Sequence, residues 1–260
     1  MADNVWNPHQ YLKGGMAGLR TRPALDLLQR IPLNDPKRVV DLGCGPGNST
    51  APLKQRWPDA EIIGIDNSPA MLQRARETHP DIAFVEGDIA DWTPDGPVDV
   101  IFSNAAIHWV ANHGLLLPRL YAALAPGGCL AVQQPNNFDA DSHALIREVA
   151  GEPRFRTALQ GKLLGEHTMN AAWYHDLLRP LAGELDIWEV EYAQPLEGPD
   201  PVLEWVRGTA LLPVRQALGD EDFQAFEAIY GQRLLQAYPA APDGVTVFPF
   251  RRMFIFARRP

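Results

Sequence analysis

The stretch Val39-Val40-Asp41-Leu42-Gly43-Cys44-Gly45-Pro46-Gly47-Asn48-Ser49-Thr50 decides the fold. Val39, Val40 and Leu42 make the near-continuous apolar run of a parallel strand covered on both faces. Asp41 interrupts that run near its end. Glycines at positions 43, 45 and 47 let the backbone turn tightly and approach a ligand closely. Asn48-Ser49-Thr50 then opens a helix, with Pro52 tolerated in its first turn. The resulting D-x-G-x-G-x-G pattern differs from the dinucleotide pattern G-x-G-x-x-G, because its third glycine comes one residue early. A second apolar strand, Glu61-Ile62-Ile63-Gly64-Ile65-Asp66, also ends in an acid, 25 residues after Asp41. That separation is about one strand–helix–strand unit, and an acid there can accept hydrogen bonds from both hydroxyls of a ribose. The alternative is a glycine turn and a strand-end acid that serve no ligand.

Composition narrows the function. With 260 residues, the chain makes one domain, or one domain with a sizeable insertion. An apolar fraction of 46% is enough for a large core. A net charge of −9 argues against nucleic acid as a partner, since phosphate binding needs a basic face. An anionic substrate would have to be held by locally placed arginines. Cys44 and Cys129 have neither metal-ligand nor disulfide-framework spacing, so no metal site is expected. No signal sequence and no membrane-spanning apolar run are seen, which points to a cytoplasmic protein with no membrane partner.

Taken in order, the chain starts with Trp6 and Tyr11 around a short helix capped by Asn7. Gly14, Gly15 and Gly18 break it, and Thr21 is expected to cap a second helix running from Arg22 to Ile31. A cation at a helix N-terminus opposes the helix dipole, so Arg22 is a candidate for binding an anion; the alternative is a solvated arginine. Ser68-Pro69 starts a helix that carries Met71. A third strand, 82–85, leads to Glu86-Gly87-Asp88-Ile89. A fourth, 98–104, ends at Asn104-Ala105-Ala106-Ile107-His108-Trp109. In parallel sheets ligands bind at these carboxyl ends, so this loop borders the site. A helix over 115–124 ends at Ala125-Pro126-Gly127-Gly128, and Cys129 to Gln133 make a fifth strand. Helices are expected over 139–150 and 170–181, and an alternating strand over 185–192. About fifty residues, 194–244, then hold two helical patterns, 201–218 and 220–238, before a last strand over 245–256. Arg251 and Arg252 are neighbours on that strand and face opposite sides.

The pairing of D-x-G-x-G-x-G with Gly64-Ile65-Asp66 resembles the class I S-adenosylmethionine-dependent methyltransferases. The resemblance implies an α/β, Rossmann-like sheet of seven strands, mostly parallel with the last antiparallel, and helices on both faces. It implies a single domain over 1–260, a helical cap inserted at 194–244, and N-terminal helices at 1–31 covering the site. It also implies S-adenosyl-L-methionine as cofactor, held by Asp41, Gly43, Cys44, Gly45, Asn48, Asp66, Asn67, Met71, Asp88, Ile89, Asn104 and Ala105. Amine and nucleic-acid methyltransferases often carry Asn/Asp-Pro-Pro-aromatic after the fourth strand. Its absence here points away from a nitrogen acceptor.

A closer likeness rests on Trp6 with Tyr11-Leu12, Thr21-Arg22-Pro23, Ser68-Pro69-Ala70-Met71-Leu72, Ala131-Val132-Gln133, Val190 to Tyr192 and Glu204-Trp205-Val206. These resemble the trans-aconitate 2-methyltransferase family over nearly the whole chain. That implies esterification of a small anionic carboxylic acid, with Trp6, Tyr11, Arg22, His108, Trp109, Gln133, Trp205 and Arg252 shaping the acceptor site. No catalytic residue is implied, because a carboxylate is already ionised at neutral pH. The chain departs from the family at Gly14 to Leu19, at Arg251 and at Leu212, where the family tends to have arginine. Trans-aconitate, giving a monomethyl ester, is the acceptor the resemblance implies, and the lost charge leaves open an acid less charged or more apolar. Three alternatives stay open: another carboxylate or a hydroxyl acceptor with His108 as base, a non-catalytic S-adenosylmethionine-binding protein, and a nucleotide-dependent oxidoreductase. A monomer or small homo-oligomer is expected.

Overall fold

Strand β1 (Arg38–Leu42) is an inner strand of a seven-stranded sheet with β2 (Glu61–Asp66), β3 (Ala83–Glu86), β4 (Val98–Asn104), β5 (Leu124–Pro135), β6 (Glu184–Leu196) and β7 (Thr246–Arg258). The order is β3-β2-β1-β4-β5-β7-β6. Pairings from β3 across to β5 are parallel, while β7 runs antiparallel to β5. Because β1 has β2 on one side and β4 on the other, the strand order reverses there, which is where open α/β sheets bind ligands. The apolar run is buried as the pattern requires: Val39, Val40 and Leu42 are each at most 1% exposed. The computed structural model describes residues 16–163 and 167–260. Trp6, Tyr11 and the helix expected around Asn7 lie outside the described residues.

The chain divides into two compact units. The first comprises Met1–Pro135, His167–Val190 and Arg252–Pro260. It holds helices α1 (Met16–Gln29), α2 (Thr50–Arg56), α3 (Pro69–Thr78) and α4 (His113–Ala122), together with α7 (Ala171–Leu178). Its core gathers Val40, Leu42, Ile101, Leu117, Leu130, Val132 and Ile255. Ser68 caps α3 as expected, its hydroxyl accepting from the Met71 N–H at 3.3 Å, with Pro69 as the first helical residue. The start of β5 differs from expectation. Val98 pairs with Leu124 but Val100 with Cys129, so Ala125 to Gly128 bulge out of a strand that already begins at Leu124.

The second unit comprises Asn136–Glu166 and Glu191–Arg251. It joins α5 (Asp141–Ala150) and α6 (Arg156–Leu159) to the helices of the long insertion. Those are α8 (Pro201–Arg207), α9 (Leu212–Ala217) and α10 (Asp220–Ala237), so the expected helix over 201–218 is in fact two. The break falls at Gly208–Leu211, next to Pro213, which sits at the start of α9. Tyr230 and Tyr238 of α10 bind opposite groups of Ser142: the Tyr230 hydroxyl donates to its carbonyl and the Tyr238 oxygen accepts from its N–H. Arg233 adds ion pairs to Glu148 and Glu152. Trp205, expected at the acceptor site, is 2% exposed and packs against Phe248 and Phe250. It is a core residue of this unit.

The N-terminal helix also departs from expectation. α1 begins at Met16, so Thr21 and Arg22 are interior and Pro23 sits inside the helix. An interior proline costs roughly 3 kcal/mol, offset here by burying Ala24, Leu27 and Leu28. No helix of the described residues is long and apolar enough to cross a membrane, and among them no cluster of three or more His, Cys, Asp or Glu could hold a metal ion.

Candidate functional site

The carboxyl ends of β1, β2, β3 and β4 surround a cavity of about 360 Å³, built wholly within the first unit. Gly43, Cys44, Gly45, Asn48, Asp66, Asn67, Met71, Asp88, Ile89, Asn104 and Ala105, all expected around the cofactor, line it. Trp109, expected on the acceptor side, lines it as well.

The glycine turn is held from the next strand. Gly43 and Cys44 N–H groups both donate to the Ile65 carbonyl, at 2.7 and 3.0 Å, and the Gly45 N–H donates to Asp66 Oδ2 at 2.9 Å. Asp66 Oδ1 accepts from the Ser68 N–H at 2.9 Å. One carboxylate thus joins the turn after β1 to the start of α3. Burial raises the Asp66 carboxyl above its ordinary range, against the pull of those N–H groups. Gly43 and Gly45 both have positive φ, +75° and +54°, for different reasons. A Cβ on Gly43 would lie 2.1 Å from the Ala106 Cβ, whereas one on Gly45 would point into open space. Gly43 therefore lets the turn meet the loop after β4, and Gly45 leaves room for a ligand.

Asp41 is not on the lining. It is fully buried below Ser49, and its Oδ2 accepts from the Ser49 and Thr50 hydroxyls, each at 2.7 Å. Oδ1 has no hydrogen-bond partner among the described residues. Burial pushes its carboxyl up to about 6, against the two hydroxyls, with the Asp66 charge adding to the rise. Because the folded value exceeds the ordinary 3.8, the folded protein holds this proton more tightly, and stability from this group falls as pH rises from about 4 to about 6. Comparing denaturation of wild type and Asp41→Asn across that window should reveal a difference on the order of 3 kcal/mol that builds up toward pH 6. Parallel curves would mean that Asp41 ionises like an exposed acid.

Cys44 is buried on the cavity wall, and burial pushes its thiol up, so it packs there as a small neutral group. Ala105 has φ +53°, uncommon for a residue with a Cβ, and its N–H is anchored to the Gln133 carbonyl at 2.8 Å. The Asn104 Oδ1 is a buried acceptor with no partner among the described residues.

The acceptor-side expectations fare differently. Arg22 points outward, its side chain 65% exposed and 4.0 Å from Asp26, a surface pair one helical turn apart. Arg20, two residues earlier, is 6% exposed and lines the cavity with Thr21 and Ala24. His108 is buried and packs against Trp109 with ring centroids 4.9 Å apart, but it is not part of the lining. Gln133 and Arg252 are also buried off the lining, with an Arg252 guanidinium N–H donating to Gln133 Oε1 at 3.4 Å. Gln133 Nε2 keeps its donors with no partner among the described residues. Gln133 is the cross-strand partner of Asn104, which does line the cavity.

Sheet order, glycine turn and the run of strand-end acids together define an S-adenosylmethionine-dependent methyltransferase of the class I fold. A methyltransferase-domain family model matches residues 39–128. The structure superposes on Haemonchus contortus phosphoethanolamine N-methyltransferase 2, solved in complex with S-adenosyl-L-methionine, with a TM-score of 0.55 at 15% identity, covering 99% of this chain and 61% of that one. Trans-aconitate 2-methyltransferase of Methylobacterium nodulans is 47% identical over 260 residues, covering 100% of this chain and 99% of the relative. The Azoarcus sp. enzyme of the same name is 45% identical over 255 residues, covering 98% and 99%. The chain belongs to the trans-aconitate 2-methyltransferase family, and its cofactor is S-adenosyl-L-methionine.

Proposed function

We propose that this chain methylates one carboxylate of trans-aconitate, giving a monomethyl ester. The observation that carries this reading is Arg20, the one cation of the cavity lining among the described residues, buried in a wall that otherwise offers Asp66 and Asp88. In a chain of net charge −9, a buried guanidinium at the ligand cavity is a specific provision for an anion. The names of the full-length relatives support trans-aconitate as that anion.

Asp66 suits the ribose, Asp88 and Ile89 the adenine, and the glycine turn the methionine end. The cofactor, when bound, supplies an electrophilic sulfonium methyl. A carboxylate acceptor is already ionised at neutral pH and would need no base from the protein. No proton moves, so the residues have only to bind, align and exclude water, an effect that can supply roughly 7–11 kcal/mol. The position of His108 behind the lining favours this over a hydroxyl acceptor that needs a base.

The test is methyl transfer from labelled S-adenosylmethionine to trans-aconitate and a panel of mono-, di- and tricarboxylic acids, read as base-labile methyl ester. Trans-aconitate is expected to be the best acceptor. Arg20→Ala should raise its KM about ten- to a hundredfold, with S-adenosylhomocysteine affinity changed less than about threefold. No ester from any small acid would overturn the proposal.

A further inference from the structure

Asp88 and Ile89 belong to a single tight turn. Asp88 Oδ1 accepts from the Ala90 N–H at 2.8 Å, and the Asp88 carbonyl accepts from Asp91 and Trp92 N–H at 3.1 and 2.8 Å. That pattern spends the turn's N–H groups on Asp88 itself. It leaves the carbonyls of Ile89, Ala90 and Trp92 needing donors from elsewhere. All three are taken by one side chain. Arg119, near the end of α4, donates from Nη1 to Trp92 O at 2.8 Å and from Nη2 to Ile89 O at 2.8 Å and Ala90 O at 2.6 Å.

We propose that Arg119 is a positioning residue for cofactor recognition: it fixes the turn that presents Asp88 and Ile89 to the adenine. The inference rests on the adenine reading of those two residues. The chemistry suits arginine in particular. A planar fork of five donors can satisfy three carbonyls at once, whereas a lysine ammonium at the end of a flexible stem cannot span them. Ile89 is 8% exposed on the cavity wall, while Asp88 and Ala90 are exposed. Ile89 and Trp92 pack the two ends of the turn against the core, and the Arg119 fork ties together the carbonyls of Ile89, Ala90 and Trp92 between them. Arg119 does not line the cavity and would touch neither cofactor nor acceptor.

The test is a calorimetric comparison of S-adenosylhomocysteine with S-inosylhomocysteine, in which the 6-amino group is replaced by oxygen. Wild type is expected to prefer the adenine ligand at least tenfold, because Asp88 accepts from the amino group. In Arg119→Ala the adenine ligand should weaken about tenfold and the preference should collapse toward unity. The acceptor KM and the kcat at saturating cofactor should stay within twofold. Arg119→Lys, which keeps the charge and most of the stem, should give an intermediate preference and guards against a failure of the alanine variant to fold. A general loss of stability would weaken both ligands alike and leave their ratio intact. A ratio preserved in both variants while wild type discriminates would overturn the role of Arg119 alone. A wild type that does not discriminate would overturn the adenine reading, and this inference with it.

Discussion

A Gly43→Ala protein should bind S-adenosylhomocysteine at least about thirtyfold more weakly than wild type. Two effects add. An L-residue held in the left-handed region costs about 1–2 kcal/mol, and Gly43 has φ +75°. The new methyl would also lie 2.1 Å from the Ala106 Cβ and 3.2 Å from Ile89 Cδ1, a clash that only backbone movement relieves, at about 1–3 kcal/mol or more. Each 1.4 kcal/mol is a factor of ten. The displaced elements are the turn after β1 and the loop after β4, which lie on two sides of the cavity, so the strain falls on the ligand's site. Calorimetric titration with a parallel thermal melt measures both consequences. Affinity within threefold of wild type would mean that the two loops are not in the contact described.

Asp66→Ala is the second large effect. Its carboxylate accepts from Gly45 and Ser68 N–H groups and, in the proposed site, from the ribose. A hydrogen bond to a charged group contributes about 1.5–3 kcal/mol, so loss of one from the ribose should lower cofactor affinity roughly ten- to a hundred-and-fiftyfold. The cofactor KM should rise with it. The kcat at saturating cofactor should change less than about threefold, since Asp66 is not asked to touch the reacting atoms. A kcat that falls as far as kcat/KM would show that Asp66 acts in the transition state instead. Part of the folding penalty of the substitution is offset, because burial already disfavours the ionised Asp66.

The sheet and the cofactor side were legible because both depend on local pattern. Apolar runs end in an acid or an amide at Asp66, Asp88 and Asn104, and parallel strands put such ends on one rim. Asp41 has the same pattern but a different place. The hydroxyls of Ser49 and Thr50, eight and nine residues on, fold back over it, and nothing in the linear pattern shows that. Arg22 falls on the exposed face of α1 for a definite reason. Thr21-Arg22-Pro23 reads as a cap followed by a first-turn proline, yet the helix starts five residues before Thr21. A signal was present: Ala24, Leu27, Leu28 and Ile31 form a buried stripe, and stepping back four residues from Ala24 gives Arg20, not Arg22. Trp205 sits in the core of the second unit, although the family likeness implies a place at the acceptor site. Its neighbours Val202 and Val206 are 3% and 2% exposed, which marks that face as core. Arg119 carries no sequence signal, since its partners are main-chain carbonyls that any sequence supplies.

Among the described residues, the cavity lining falls between Arg20 and Ala111, and the chain first leaves its unit after Pro135. Inheritance can therefore treat the two units as separately editable text. Substitutions, insertions or recombination within 136–166 and 191–251 alter no residue that lines the cavity. A lineage could diversify that third of the gene by drift and keep its methyl-donor pocket word for word.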